Sequence, residues 1–130
     1  MGYRSDVMAV FYTYEPNEFP SIKLFIDEHV PEWFKDSEYM STFSHKSTSG
    51  ADKYLSGIKF SMNGLKWYTS YPDVQGFERM IDKFDALCEG GNKWVWEFIR
   101  IGEEAGDVEE RCSYESQHLI YVVRSIESDC

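Results

Sequence analysis

Five carboxylates crowd one short segment, Glu103, Glu104, Asp107, Glu109 and Glu110, and they are the residues whose type and spacing bear most directly on chemistry. From Glu97 to Cys130 nine acids face three arginines, so -6 of the chain's net charge of -10 lies in its last quarter. Three readings of the segment stand side by side. It is a solvated connection between strands, as runs of charge usually are. Or it is a carboxylate array that imitates a row of phosphates and docks on a basic partner surface, where complementary charge speeds encounter. Or it holds a divalent cation, although the spacing is not that of the EF-hand calcium loop.

Arginines supply the opposite chemistry. Arg4, Arg100 and Arg124 fall at strand starts or within strands, among many acids. They either pair with Glu97, Glu103 or Asp6, or converge with Tyr3 and Tyr68 as an anion site for a small phosphorylated ligand. His29, His45 and His118 do not cluster, and no nucleophile elbow, Walker loop, HExxH or zinc cysteine pattern is present. No catalytic residue, metal site or cofactor is therefore assigned. Cys88, Cys112 and Cys130 are widely spaced and form no CxxC pair, which reads as free thiols in a reducing cytoplasm.

The elements that must position these residues follow from periodicity. Val7 to Tyr14 is apolar on both faces and reads as a central strand. Ile22, Phe25, Ile26 and His29 or Val30 lie at helical spacing, and Pro31 closes that helix or kinks it into a turn carrying Trp33 and Phe34. Residues 36 to 52 read as a loop or an irregular edge segment. Asn63-Gly64 signals a tight hairpin that pairs Met62 with Leu65, Phe60 with Trp67 and Ile58 with Thr69. Asp73 is the expected N-cap of a second helix, whose buried stripe is Val74, Phe77, Ile81, Phe84 and Cys88 and whose end is Gly90-Gly91. Strands from Lys93 to Ile101 and from His118 to Ile126 follow, joined by the acidic connection.

The expected fold is α+β: a ferredoxin-like βαββαβ with an additional C-terminal strand, its antiparallel sheet carrying two helices on one face. Trp67, Tyr68, Trp94 and Trp96 lie on the expected strands and are assigned to core packing. The other sheet face would be bare and available for a partner or for self-association as a homodimer.

Composition bounds what remains. At 130 residues, 42% hydrophobic and 17% aromatic, residues 1–130 form a single domain with bulk enough for a core. A charge of -10 argues against direct nucleic-acid binding and against an anionic membrane surface. The apolar run from Val7 to Tyr12 is too short to span a membrane.

Several short stretches resemble a family of small accessory proteins encoded by bacteriophages and prophages. They are Met1 to Val7, Leu65-Lys66-Trp67-Tyr68, Tyr71-Pro72-Asp73-Val74, Phe98 to Glu103, Asp107 to Glu110 and Val123 to Ile126. The resemblance carries no activity. What it implies is a context, the cytoplasm of an infected host, and action on host machinery or defence. With the acidic segment, that context favours a non-enzymatic inhibitor of a host protein such as a CRISPR effector, bound as a nucleic-acid mimic. A protein that sequesters or hydrolyses a signalling nucleotide, and a self-associating structural accessory, are the alternatives.

Overall fold

The computed structural model describes residues 4–13, 15–36, 38–46, 54–68, 70–89, 94–104 and 106–112. Five strands form one sheet in the order β2-β3-β1-β4-β5, every neighbouring pair antiparallel. They are β1 (Ser5–Thr13), β2 (Met40–Lys46), β3 (Tyr54–Leu65), β4 (Trp94–Gly102) and β5 (Val108–Cys112). Two helices interrupt them, α1 (Phe19–His29) and α2 (Pro72–Glu89). The fold is α+β.

β1 is apolar on both faces because it is the middle strand, paired with β3 on one side and β4 on the other. Its two sets of alternate residues enter different clusters, as a period of two requires. Val7, Ala9 and Phe11 join Ile58, Phe60 and Met62 of β3 and Trp94, Trp96 and Phe98 of β4. Ile22 and Ile26 of α1, Phe34, and Val74, Phe77, Met80, Ile81 and Phe84 of α2 complete that cluster. Phe11 is met edge-on by Phe60, Phe77 and Phe84, an arrangement that places ring edges against ring faces. Met8, Val10 and Tyr12 point the other way and pack with Val95 and Ile99. The sheet face expected to be bare is thus buried along β1 and β4 within the single chain.

Asn63-Gly64 makes no hairpin. β3 runs on through it, and the register shifts between Ser5 opposite Leu65 and Val7 opposite Met62, so one extra residue of β3 bulges there. Gly64 uses its positive φ of 67° inside this bulge. The expected pairings of Met62, Phe60 and Ile58 with Leu65, Trp67 and Thr69 are therefore corrected: these three face Val7, Ala9 and Phe11 of β1. The partner of β3 on its other side is β2, drawn from the stretch read as a loop or irregular edge, with Met40 opposite Phe60 and Lys46 opposite Tyr54. Polar composition hid this strand, because an edge strand needs few apolar side chains. Trp67 and Tyr68 follow the end of β3 rather than lying on a strand.

The acidic connection is also more ordered than expected. Its second half is β5, so the fifth strand starts ten residues earlier than the one expected from His118 to Ile126, a stretch that lies outside the described residues together with Gly90-Gly91. α2 starts at Pro72, with the Gln75 amide donating to the Tyr71 carbonyl at 3.0 Å. Asp73 therefore sits in the first turn, not at the cap, where its charge still complements the helix dipole.

Candidate functional site

β4 and β5 are joined by a tight turn in which the Gly102 amide donates to the Asp107 carbonyl at 2.8 Å and Gly106 adopts a φ of 85°. That turn gathers the five expected carboxylates at one edge of the sheet. Arg100, inside β4, holds two of them. Its guanidinium forks onto Asp107 at 3.0 and 3.3 Å, donates from Nε to Glu109 at 3.2 Å, and reaches Ser5 Oγ at 3.2 Å. The Arg100 pKa is raised above its ordinary value, chiefly by the hydrogen bond to Asp107; burial opposes this, and the bond to Glu109 and the charges of both acids add to it. Of the two alternatives for Arg100, pairing is the one present, with Asp107 and Glu109 rather than Glu97, Glu103 or Asp6.

Arg4 secures the neighbouring corner. Its amide donates to Glu103 Oε1 at 2.9 Å and its guanidinium to the Gly64 carbonyl at 2.7 Å. Asp6 accepts from the Gly64 amide at 2.9 Å, so the β3 bulge and the acidic turn are tied to the start of β1. Glu103, Asp107 and Glu109 are held by the chain's own donors, and Glu103, Glu104 and Glu110 are exposed. The result is a carboxylate edge with three of its five members positioned, Asp107 and Glu109 by the Arg100 guanidinium and Glu103 by the Arg4 amide, an arrangement with less to lose in ordering than a mobile loop. Two residues along β5 from Glu109 and on the same face, Arg111 bonds Glu78 and lies 3.5 Å from Asp82, both of α2. Its guanidinium covers the rings of Trp96 and Phe98 at 5.5 and 5.8 Å, and so anchors β5 to the helix.

Of the four residues expected at an anion site, three are described, and two of these are engaged with other groups. Arg100 is committed to its two carboxylates, and Tyr68 packs against Tyr71 with ring centroids 5.1 Å apart. Arg124, like Tyr3 and His118, lies outside the described residues. Arg4 instead lines a cavity of about 250 Å³ between the segment after β3 and the start of α2. Trp33, Lys66, Trp67, Tyr71 and Asp73 share that cavity. Sequence reasoning missed it because its wall comes from four separated segments. The available signal was two large aromatics beside prolines, Trp33 after Pro31 and Tyr71 before Pro72.

A second unforeseen feature is polar and deeply buried. Glu97 is 4% exposed on the face carrying Met8, Val10 and Ile99, and it accepts a 2.6 Å hydrogen bond from the hydroxyl of the fully buried Tyr12. Cys112 is an exposed free thiol. Among the described residues no group of three or more His, Cys, Asp or Glu is placed to hold a metal ion, and no helix is long and apolar enough to cross a membrane. Comparison with protein-family models, curated proteins and solved structures finds no match for this chain.

Proposed function

We propose that this chain is a small, phage- or prophage-encoded, non-enzymatic binding protein that acts in the host cytoplasm. Its β4–β5 edge docks on the basic, nucleic-acid-binding surface of a host protein, a defence component of the CRISPR effector type, and competes there with nucleic acid. The observation that supports this reading is the held carboxylate edge: Glu103, Asp107 and Glu109 fixed by Arg4 and Arg100, with Glu104 and Glu110 exposed beside them. Charges spaced along a sheet edge reproduce the field of a phosphate row while keeping their positions, which favours both rapid encounter and a defined register. The strand order β2-β3-β1-β4, all antiparallel, with α1 and α2 in one shared cluster, supports a ferredoxin-like arrangement with both helices on one face and β5 added at its edge.

Capture from nuclease-treated bacterial lysate, run in parallel with the wild-type chain and a Glu104→Gln, Glu110→Gln variant, tests the proposal. A nucleic-acid-binding host protein retained by the wild type, released by moderate salt and lost from the variant is the expected result. Equal retention by both baits would sink the mimic mechanism.

A further inference from the structure

The cavity beside α2 carries chemistry that the acidic edge does not use, and none of the five edge carboxylates lines it. Three observations set it apart from a packing gap. Trp33 and Tyr71 on its wall remain 47% and 42% exposed, although Trp33 already packs against Phe34 and Tyr39 and Tyr71 against Tyr68, so each keeps aromatic surface for a ligand. Arg4 and Lys66 are also on the wall, and neither side chain forms an ion pair among the described residues, in a chain where 23 acids outnumber 13 lysines and arginines. Finally, Trp67 is only 8% exposed, yet its indole N–H donates to no group among the described residues. The other two strongly buried indoles do donate, Trp94 to Glu18 and Trp96 to Asp85. Because no fully buried side-chain polar atom among the described residues lacks a partner, the Trp67 N–H must be reachable by solvent, and Trp67 is one of the residues that line the cavity.

The start of α2 adds to this set. Its first helical bond comes from the Gln75 amide, which leaves the Asp73 and Val74 amides ahead of it without an acceptor inside the helix, at the positive end of an 18-residue dipole. Asp73 is the one carboxylate on the wall. A ligand that satisfies all of these groups has a flat ring to stack on an aromatic face, an anionic group for Arg4 and Lys66, and a hydroxyl or amine that donates to Asp73.

The geometry points to a binding site for a nucleoside monophosphate, its base against Trp33 and Tyr71 and its phosphate toward Arg4, Lys66 and the first turn of α2. A volume of about 250 Å³ is at the small end for ligand cavities, which favours one nucleotide over a dinucleotide. The inference stands independently of docking through the acidic edge.

The test is titration of the purified chain with AMP, GMP, CMP and UMP, read by tryptophan fluorescence and calorimetry, with adenosine and inorganic phosphate as separate probes. Saturable binding of at least one nucleotide is expected, with either half alone binding at least roughly tenfold more weakly. Trp33→Ala removes a stacking face and Lys66→Glu reverses a charge; each lies on the surface, and each should weaken binding roughly tenfold or more. Trp67→Phe keeps the packed ring and removes only the donor, so it should weaken binding several-fold while the chain still melts cooperatively. Glu110→Gln, on the acidic edge, should leave nucleotide affinity unchanged. No binding of any of the four at about 1 mM, phosphate binding as tightly as the nucleotide, or affinity indifferent to Lys66→Glu and Trp33→Ala would each overturn the assignment.

Discussion

Replacing Tyr12 with Phe removes one oxygen atom from the most deeply buried polar contact in the described structure. The Tyr12 hydroxyl donates to Glu97 at 2.6 Å, with the tyrosine fully buried and the glutamate 4% exposed, among Met8, Val10, Val95 and Ile99. The ring itself is retained, so contact with Phe43 at 6.4 Å between centroids persists and no large cavity opens. What is lost is a charge-assisted bond in a region from which water is excluded, and such bonds contribute about 1.5–3 kcal/mol. Unfolding entropies near 2.1 cal/mol/K per residue give a chain of this length roughly 0.27 kcal/mol/K. A loss of about 2 kcal/mol therefore lowers Tm by roughly 7 °C. Calorimetry at pH 7 on Tyr12→Phe, Glu97→Gln and the double variant measures the effect and its coupling. The coupling isolates the pair, since Tyr12→Phe should cost far less once Glu97 is already Gln. A Tm change under about 2 °C for Tyr12→Phe, or strictly additive single effects, would refute the reasoning.

Other outcomes follow from single contacts. Gly57→Ala places a Cβ 2.2 Å from the Phe11 carbonyl oxygen and 2.6 Å from Tyr12 Cβ, within a row where Gly57 lies between Tyr12 and Phe43; we expect a loss of about 3 kcal/mol or more, or insoluble protein, judged by urea denaturation. Arg100→Met strips Asp107 and Glu109 of their shared partner, and with Arg100 18% exposed the cost should be about 2 kcal/mol, between surface and fully buried pairs. The raised pKa of Arg100 makes its contribution fully present below the ordinary arginine range and lost only as pH climbs through the still higher folded value, so the gap between wild type and Arg100→Met should not close as pH rises from neutral to mildly alkaline. Glu104→Gln and Glu110→Gln, both exposed, should change stability by no more than about 0.5 kcal/mol, which separates any binding defect from unfolding.

How much of this was legible beforehand varied with the length scale of the signal. α1 and α2 were readable because each carries its helical period, and β1 and β4 because each is a nearly continuous apolar run; the two-faced apolar character of Val7 to Tyr14 implied the central position that β1 takes. Asn63-Gly64 misled because positive φ serves a bulge as well as a turn; only the pairing of Ser5 with Leu65 and Val7 with Met62 distinguishes them, and that is a tertiary fact. β2 and β5 were obscured for a shared reason. Edge strands carry Ser, Thr, Glu and Arg where central strands carry Val and Phe, so Met40–Lys46 and Val108–Cys112 lack the alternation that marks a strand. In the candidate site, the acids were found by composition, but their pairing was not. Arg100 meets Asp107 and Glu109 because a hairpin folds them back onto it, with Arg100 directly opposite Glu109 in the ladder. The cavity was invisible for the opposite reason: Arg4, Trp33 and the stretch from Lys66 to Tyr71 are far apart in the chain and meet only in the fold.

The most direct test of the central claim is a competition on the captured host protein. That protein is loaded with labelled nucleic acid, the wild-type chain is titrated in at two salt concentrations, and nucleic acid release is followed by anisotropy. Docking through the acidic edge predicts complete, stoichiometric displacement that weakens as salt rises, and displacement lost with the Glu104→Gln, Glu110→Gln variant. A stable ternary complex, with nucleic acid and chain bound together, would contradict it.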